Sequence, residues 1–381
     1  LEGITTGAAV RVERPLVGLA PETVVHYKVQ LIDPADGSLL PGRDLHFRTA
    51  PVTGSDARFQ FAFMSDSRAG RGDPMERVDQ VNFRAVRRLM AESYRQGADV
   101  MVFAGDLISG YTASRRDFER QLEAWCEAAA PVAALLPIYE GMGNHEALGP
   151  AQEDNPNRIA RAYTGDNAPE AVFSEAFVNP TNGPERESAD APPYGETVYS
   201  FDWGNAHFTS INSNAWWASA SLLEQGGNRE GFVMPGQLAW LDQDLRDARA
   251  RGQRHLFVYT HEPMFPTGGH LGDAMHWGGR IDAVNRMRDE FVRICSENRV
   301  LTVLHGDEHN YSRLLVTRTM PVSPPSADVR RVAHTAVNPF WQIISGGAGA
   351  PFYAQDFSAP WVDSVRAFSP QLHFVLFDID G

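Results

Sequence analysis

The stretch Leu135-Leu136-Pro137-Ile138-Tyr139-Glu140-Gly141-Met142-Gly143-Asn144-His145-Glu146 runs an apolar segment into an abrupt polar end. Short apolar runs bounded by turn residues read as buried strands. Four other places repeat the arrangement. Phe59 to Met64 leads into Ser65-Asp66-Ser67, and Val100 to Ala104 into Gly105-Asp106. Leu256 to Tyr259 precedes Thr260-His261, and Val300 to Leu304 comes just before Gly306-Asp307-Glu308-His309. In an open α/β sheet, ligands bind in the crevice outside the carboxyl ends of the strands. Five strands that deliver carboxylate, amide and imidazole groups to one edge make one site. Asp, Asn and His together are a metal-ligand set, and this one suits two cations better than one.

Helical periodicity fills the intervals. Val78 to Tyr94 places Val78, Val81, Val86, Leu89 and Met90 near helical spacing, and Phe118 to Ala130 reads the same way. Gln237 to Arg251 carries Leu238, Leu241 and Leu245 on one side; Asp282 to Glu297 carries Val284, Met287, Phe291 and Ile294. Strands alternating with helices predict a largely parallel or mixed sheet covered on both faces. Tyr199-Ser200-Phe201-Asp202 and Ala206-His207-Phe208-Thr209 flank Trp203-Gly204-Asn205, a hairpin signal. Gly149 to Pro193 and Pro263 to Gly279 are long Pro-, Asn- and Gly-rich connections of the kind that shape access to a site.

The N-terminal fifty residues differ. Val10 to Val12, Val24 to Ile32 and Leu45 to Thr49 are strand candidates, punctuated by turns at Pro21-Glu22-Thr23 and Asp33-Pro34-Ala35-Asp36-Gly37. Residues 1–50 are expected to form a small all-β module, 51–57 a linker, and 58–381 the catalytic domain. At 381 residues, 43% of them hydrophobic, the chain is long enough for one large domain and a small one. A net charge of −14 argues against nucleic acid or an anionic membrane bound along a wide surface. A small anionic substrate is still compatible, because a bound cation dominates the local field. Cys126 and Cys295 lie in helix-like stretches and predict free thiols rather than a disulfide framework. No run is long and apolar enough to span a bilayer. The sequence begins at Leu1 and ends in a strand-like segment, so a longer natural chain is expected.

The order Asp, Gly-Asp, Gly-Asn-His-Glu, His, Gly-x-x-His resembles the calcineurin-like metallophosphoesterases, over Arg58 to Gly381. The purple acid phosphatase branch is the nearer likeness, since it has a fibronectin type III-like domain ahead of the catalytic one. Gly18 to Tyr27 resembles the latter half of such a domain, where a Tyr near this place makes a corner bond. The resemblance implies an α/β fold (α+β by some schemes): a four-layer metallophosphoesterase β-sandwich flanked by helices. It implies that Asp106 bridges two metals, that Asp66 and His309 hold the first, and that Asn144, His261 and Asp307 hold the second. It also implies a hydroxide shared by the two cations, which attacks phosphorus in line, with His145 protonating the leaving oxygen as general acid. A secreted or periplasmic location is implied as well. The substrate expected is a phosphomonoester or small phosphodiester; the alternative is a degenerate relative that binds metal or anion as a scaffold.

Three positions depart from the family pattern. Arg68 stands where most members have the His of Asp-x-His, and Ile108 stands where the purple branch has a Tyr. Tyr111 follows three residues later and is a candidate to reach in. The first metal is therefore short of a protein ligand. Asp307 replaces the first His of Gly-His-x-His, which tilts the second site towards Mn²⁺, Fe or Ca²⁺ rather than Zn²⁺. Arg68 has two readings, a clamp on a phosphate oxygen or a salt bridge to a carboxylate such as Asp73. Asn144 is also a candidate for touching substrate, as is His276 beside Trp277 in the loop after His261. Trp216-Trp217 reads as a rim or core patch. Ser345-Gly346-Gly347-Ala348-Gly349-Ala350-Pro351 has no Lys-Ser/Thr after it, so it predicts a turn close to the site rather than a phosphate loop. Phe352 and Tyr353 are then placed to wall the pocket.

Overall fold

Phe59, Phe61 and Phe63 alternate with Ala62 and Met64, and both sets are buried. A strand buried on both faces must lie inside a layered structure. The computed structural model describes residues 11–69, 77–112, 114–146, 165, 168–217, 227–323 and 331–381. Along the chain the strands are β1 (Val24–Lys28), β2 (Asp44–Arg48), β3 (Phe59–Met64), β4 (Arg77–Val78), β5 (Val81–Asn82), β6 (Val100–Phe103) and β7 (Ile138–Glu140). They continue as β8 (Tyr199–Trp203), β9 (Ala206–Ser210), β10 (His255–Tyr259), β11 (Thr302–His305), β12 (Tyr311–Val316), β13 (Phe340–Ser345), β14 (Val365–Ser369) and β15 (Val375–Ile379). The helices are α1 (Phe83–Arg95), α2 (Arg115–Ala133), α3 (Pro169–Ala176), α4 (Pro235–Ala250) and α5 (Asp282–Glu297).

The smaller sheet has the order β15-β3-β6-β7, and the larger β14-β12-β13-β11-β10-β9-β8. Strands β3, β6 and β7 run parallel, as do β9, β10, β11 and β13; antiparallel strands close the edges. The two sheets meet through aromatic side chains. Phe61 of β3 lies 4.9 Å, edge to face, from both Phe208 and Phe257 of the larger sheet. A second core joins β3 and β6 to α1 and α2 through Met64, Val86, Met90, Phe103, Leu122 and Trp125. A third joins β10 and β11 to α4 and α5 through Leu241, Leu245, Val258, Phe291, Ile294 and Val303. The result is helix, sheet, sheet, helix: the four layers expected. The parallel strands of both sheets end at the same rim.

Some expectations shift. Val78 and Val81 do not open a helix. They belong to β4 and β5, joined by Asp79 and Gln80 at φ 40° and 67°. Val81 is buried in the same core as Val86 and Met90, so its apolar spacing imitated a helical turn. The predicted strand Leu135 to Met142 contracts to Ile138–Glu140. Hairpin β8–β9, helix α5 and the terminal strand β15 fall where the pattern puts them. Near the N-terminus, β1 and β2 pair antiparallel. The Tyr27 hydroxyl reaches out of that sheet and donates to Ala134 O at the end of α2, 2.7 Å away. Both cysteines are free.

Glu140, the last residue of β7, is buried, and that burial pushes its carboxyl up to about 8. A carboxyl raised on folding holds more protons folded than unfolded. Its contribution is full below its ordinary value of 4.5 and is lost as pH rises through 8. Glu140→Gln should therefore gain stability over the parent, by a few kcal/mol, as pH rises from about 5 to about 9. Urea midpoints of both proteins across that range check it; parallel profiles would contradict it.

Candidate metal centre

The rim is built from backbone that few residues adopt. Asp66, Asp106 and Asp307 all lie in the left-handed region, at φ 67°, 53° and 64°. Such residues cost roughly 1–3 kcal/mol each and persist where the surroundings fix them. Here the loops lock one another. Ser67 and Arg68 donate backbone N–H groups to Asp106 O, at 2.8 and 3.1 Å. Glu146 accepts from the N–H groups of Asp106, Leu107, Ile108 and Gly143 at 2.8–3.2 Å. The Glu of Gly-Asn-His-Glu is thus a brace that joins the β6 and β7 loops. Gly143 has no alternative, because a Cβ there would collide with Asp106. Loop 345–351 crosses the end of β3 through Ala348 N–H to Ser65 O (3.0 Å) and Ala350 N–H to Asp66 O (2.9 Å).

Against this frame the predicted residues converge. His261 Nε2 lies 3.2 Å from Asp106 Oδ1 and 4.0 Å from both Asp66 Oδ1 and Asp307 Oδ1. His309 Nε2 lies 3.5 Å from Asp66 Oδ1. Donor atoms of Asp66, Asp106 and His309 fall within 4.8 Å of one another, and so do those of His261, Glu262 and Asp307. His145 Nε2 is 3.8 Å from Asp106 Oδ2, and its backbone N–H reaches Asp106 Oδ1 at 3.1 Å. Asn144 donates its amide to Tyr111 Oη (2.8 Å) and Glu230 Oε1 (2.6 Å), which leaves the buried Oδ1 as a free acceptor. Arg68 lies between Asp106 and His309, at 3.3 Å from each. Asp73 falls outside the described residues. His276 stands apart: its Nδ1 meets Arg288 Nη1 at 2.9 Å and its ring packs edge-on against Trp361. The expected substrate contact at His276 is thus replaced by a buried Arg–His pair.

Three imidazoles share one device. His145 Nδ1 meets Ser109 O at 2.6 Å, His261 Nδ1 meets Ala104 O at 2.8 Å, and His309 Nδ1 meets Pro351 O at 2.5 Å. A carbonyl only accepts, so each proton sits on Nδ1 while the ring is neutral, and each Nε2 lone pair faces the cluster. Metal-ligating histidines are oriented in this way. Charge at the rim is left uncompensated. Burial pushes Asp66 up to about 8 and also raises Asp307. Burial opposes ionisation of Asp106 too, but His145 and His261 hold it below the usual carboxylate range. Asp66 Oδ1 and Oδ2, Asn144 Oδ1, Glu262 Oε2 and Asp307 Oδ2 are buried without a hydrogen-bond partner. Buried anionic oxygens without partners are costly. A hard or borderline cation satisfies carboxylate, amide oxygen and imidazole together, so the donor set fits a metal.

Sequence reasoning missed several members. Glu262 adjoins a predicted ligand but lies beyond the end of β10, where strand alternation no longer sends adjacent side chains to opposite faces. Glu230 sits far from every motif. His270 was left unassigned. Its Nδ1 lies 3.5 Å from Asp307 Oδ2, and although burial opposes it, Asp307 and Asp273 raise it to about 10. Tyr111, the candidate for the first metal, instead accepts from the amide of Asn144, with its ring 4.1 Å from that of His145. Tyr353 stacks on His309 at 4.2 Å, whereas Phe352 is exposed.

Fold and rim together define a layered α/β protein with a metal-ligand donor set at the strand ends. The sequence profile of the Calcineurin-like phosphoesterase family matches residues 44–311, and the chain belongs to that family. It is 26% identical over 207 residues to a "Probable inactive purple acid phosphatase 9" of Arabidopsis thaliana, covering 54% of this chain and 28% of that protein. It is 24% identical to an "Acid phosphatase" of Aspergillus ficuum, covering 68% of this chain and 47% of that one. The matches thus span less than half the length of either relative. Among solved structures, the purple acid phosphatase PPD1 of yellow lupin (Lupinus luteus) seeds superposes with a TM-score of 0.61 at 14% identity, over 94% of this chain and 56% of that one. PhoD superposes with a TM-score of 0.59, also at 14% identity, over 95% and 70%. Both show a shared fold.

Glu262→Gln should lower retained Mn²⁺ affinity by at least about tenfold. Exposed Glu123→Gln should not change it. Equilibrium dialysis with elemental analysis checks this; equal metal retention in the Glu262 variant would remove that residue from the site.

Proposed function

We propose that the chain hydrolyses a small phosphoric ester, monoester or diester, in a metal-dependent reaction at this rim. The observation that carries the reading is the set of buried, partnerless carboxylate oxygens facing two imidazole lone pairs. In this reading Asp66, Asp106, Asn144, His261, Asp307 and His309 hold metal, Glu262 joins them, and Mn, Fe or Zn are the fitting ions, with Ca possible. A cation bound there supplies an acidified water as nucleophile and neutralises charge on the phosphoryl oxygens.

The protein's own groups do the rest. Ser109 O and the Asp106 carboxylate fix the His145 ring, so Nε2 is the atom that carries a proton to the leaving oxygen. Burial pushes His145 down to about 4 against the pull of Asp106. The ring is therefore neutral at rest near pH 7, and an arriving phosphoryl anion favours its charged form. Arg68 turns Nε to Asp106 and Nη2 to His309, leaving Nη1 for a phosphoryl oxygen. Tyr111 and Glu230 act through Asn144 by turning its amide oxygen inwards. The net charge of −14 supports a small ester over nucleic acid. Among the described residues no helix is long and apolar enough to cross a membrane. A secreted or periplasmic location belongs to the same proposal and rests on the likeness to acid phosphatases.

One observation favours a second reading, a scaffold that binds metal or anion without turnover. It is the placement of Arg68 against two of the expected first-site ligands. Release of nitrophenol from nitrophenyl phosphate by metal-reconstituted protein separates the two. Within the hydrolytic reading, His145→Ala should lower kcat by about 10²- to 10⁴-fold while metal content stays at the parental level. The loss should be smaller for a nitrophenyl ester, whose leaving group needs less protonation, than for an alkyl ester. Loss of metal along with activity would show that His145 is a ligand instead.

A further inference from the structure

Arg68 lies two residues beyond Asp66, and its guanidinium sits within the first donor group. Nε is 3.3 Å from Asp106 Oδ2, and Nη2 is 3.3 Å from His309 Nε2. Because His309 Nδ1 is held by Pro351 O, its lone pair is on Nε2. A guanidinium only donates. The N–H of Arg68 therefore meets the same lone pair that a cation would need there. Tyr353, stacked flat on His309 at 17°, keeps that ring from turning away.

Arg68 is also anchored. Its side chain is 17% exposed, its backbone N–H reaches Asp106 O at 3.1 Å, and it forms a β-bridge with Val81. This is a wall residue of the site, and its charge is permanent because the guanidinium does not deprotonate in proteins.

No guanidinium enters the other donor group, and His270 Nδ1 approaches it only from the side of Asp307 Oδ2, at 3.5 Å. His261 Nε2, Glu262 Oε2, Asp307 Oδ2 and Asn144 Oδ1 are buried without hydrogen-bond partners. Two donors each about 2.1 Å from one ion lie roughly 3 to 4 Å apart. The separations from His261 Nε2 to Asp106 Oδ1, Asp66 Oδ1 and Asp307 Oδ1 are 3.2, 4.0 and 4.0 Å. All three fit a single ion beside His261. Asp66, whose oxygens also lack partners, faces this position from the first group.

We propose that this chain holds one metal ion, beside His261 with Asp307 and its neighbouring carboxylates, and that the guanidinium of Arg68 stands in for a second. The site is then a metal–guanidinium pair. This deepens the reading of the rim as a hydrolytic centre, with His309 facing Arg68 instead of a metal, and the metal count does not depend on turnover.

The experiment uses the full chain, stripped with chelator, reloaded with Mn²⁺ and freed of excess metal by gel filtration. Elemental analysis should give one Mn²⁺ per chain for the parent and two for Arg68→His. The electron paramagnetic resonance spectrum should show an isolated Mn²⁺ in the parent and a spin-coupled pair in the variant. Arg68→Ala, which removes the charge without adding a donor, is the second variant, with folding of both checked by circular dichroism. It should take up a second, more weakly held ion. Two ions in the parent would overturn the proposal, and so would a count that stays at one in both folded variants. Nitrophenyl phosphate hydrolysis is recorded on the same samples. One ion without hydrolysis upholds the metal–guanidinium pair and removes the hydrolase reading. Two ions with hydrolysis does the reverse, and no retained ion overturns both.

Discussion

The site depends on one constraint: Asp66, Glu262 and Asp307 are buried near His261 with carboxylate oxygens that lack hydrogen-bond partners, and Asp106 is buried among them. Unpaired carboxylates in a low-dielectric interior are strongly unfavourable unless they are protonated or meet a cation. The upward shifts of Asp66 and Asp307 express the first outcome. Metal, imidazolium or guanidinium provides the second. Backbone strain at three of these residues reinforces the point, since left-handed Asp is retained where the arrangement serves something other than stability.

The surrounding fold supplies the rigidity. Aromatic contact between the two sheets sets the strands in one frame, so the ends of β3, β6, β10 and β11 reach the same rim. Glu146 then fastens the β6 loop to the β7 loop through four backbone N–H groups. Carbonyls of Ser109, Ala104 and Pro351 set the direction of three imidazoles. None of these groups need touch a ligand, yet each fixes an atom of the rim.

Much of this was legible in the sequence. Buried parallel strands are apolar on both faces, so the strand ends stood out, and the polar residues at those ends converge at one rim. What the sequence hid depends on chain direction after the strand stops. Glu262 enters because the backbone turns beyond β10, and Glu230 because a distant loop folds back onto Asn144. His276 misled because a His beside a Trp in a long loop reads the same whether it faces solvent or, as here, Arg288. Val78 and Val81 misled because a tight turn repeated helical spacing. The likeness of Gly18 to Tyr27 to a fibronectin strand pair did not foretell that Tyr27 would bond across to α2.

The account stands on a cation held at the convergence of β3, β6, β10 and β11. Anomalous diffraction from crystals of the Mn²⁺-loaded chain locates such an ion directly. The account predicts a dominant peak within coordination distance of His261 Nε2 and of the Asp106 and Asp307 carboxylates. A map with no peak there, or with manganese bound only at unrelated surface carboxylates, would contradict it.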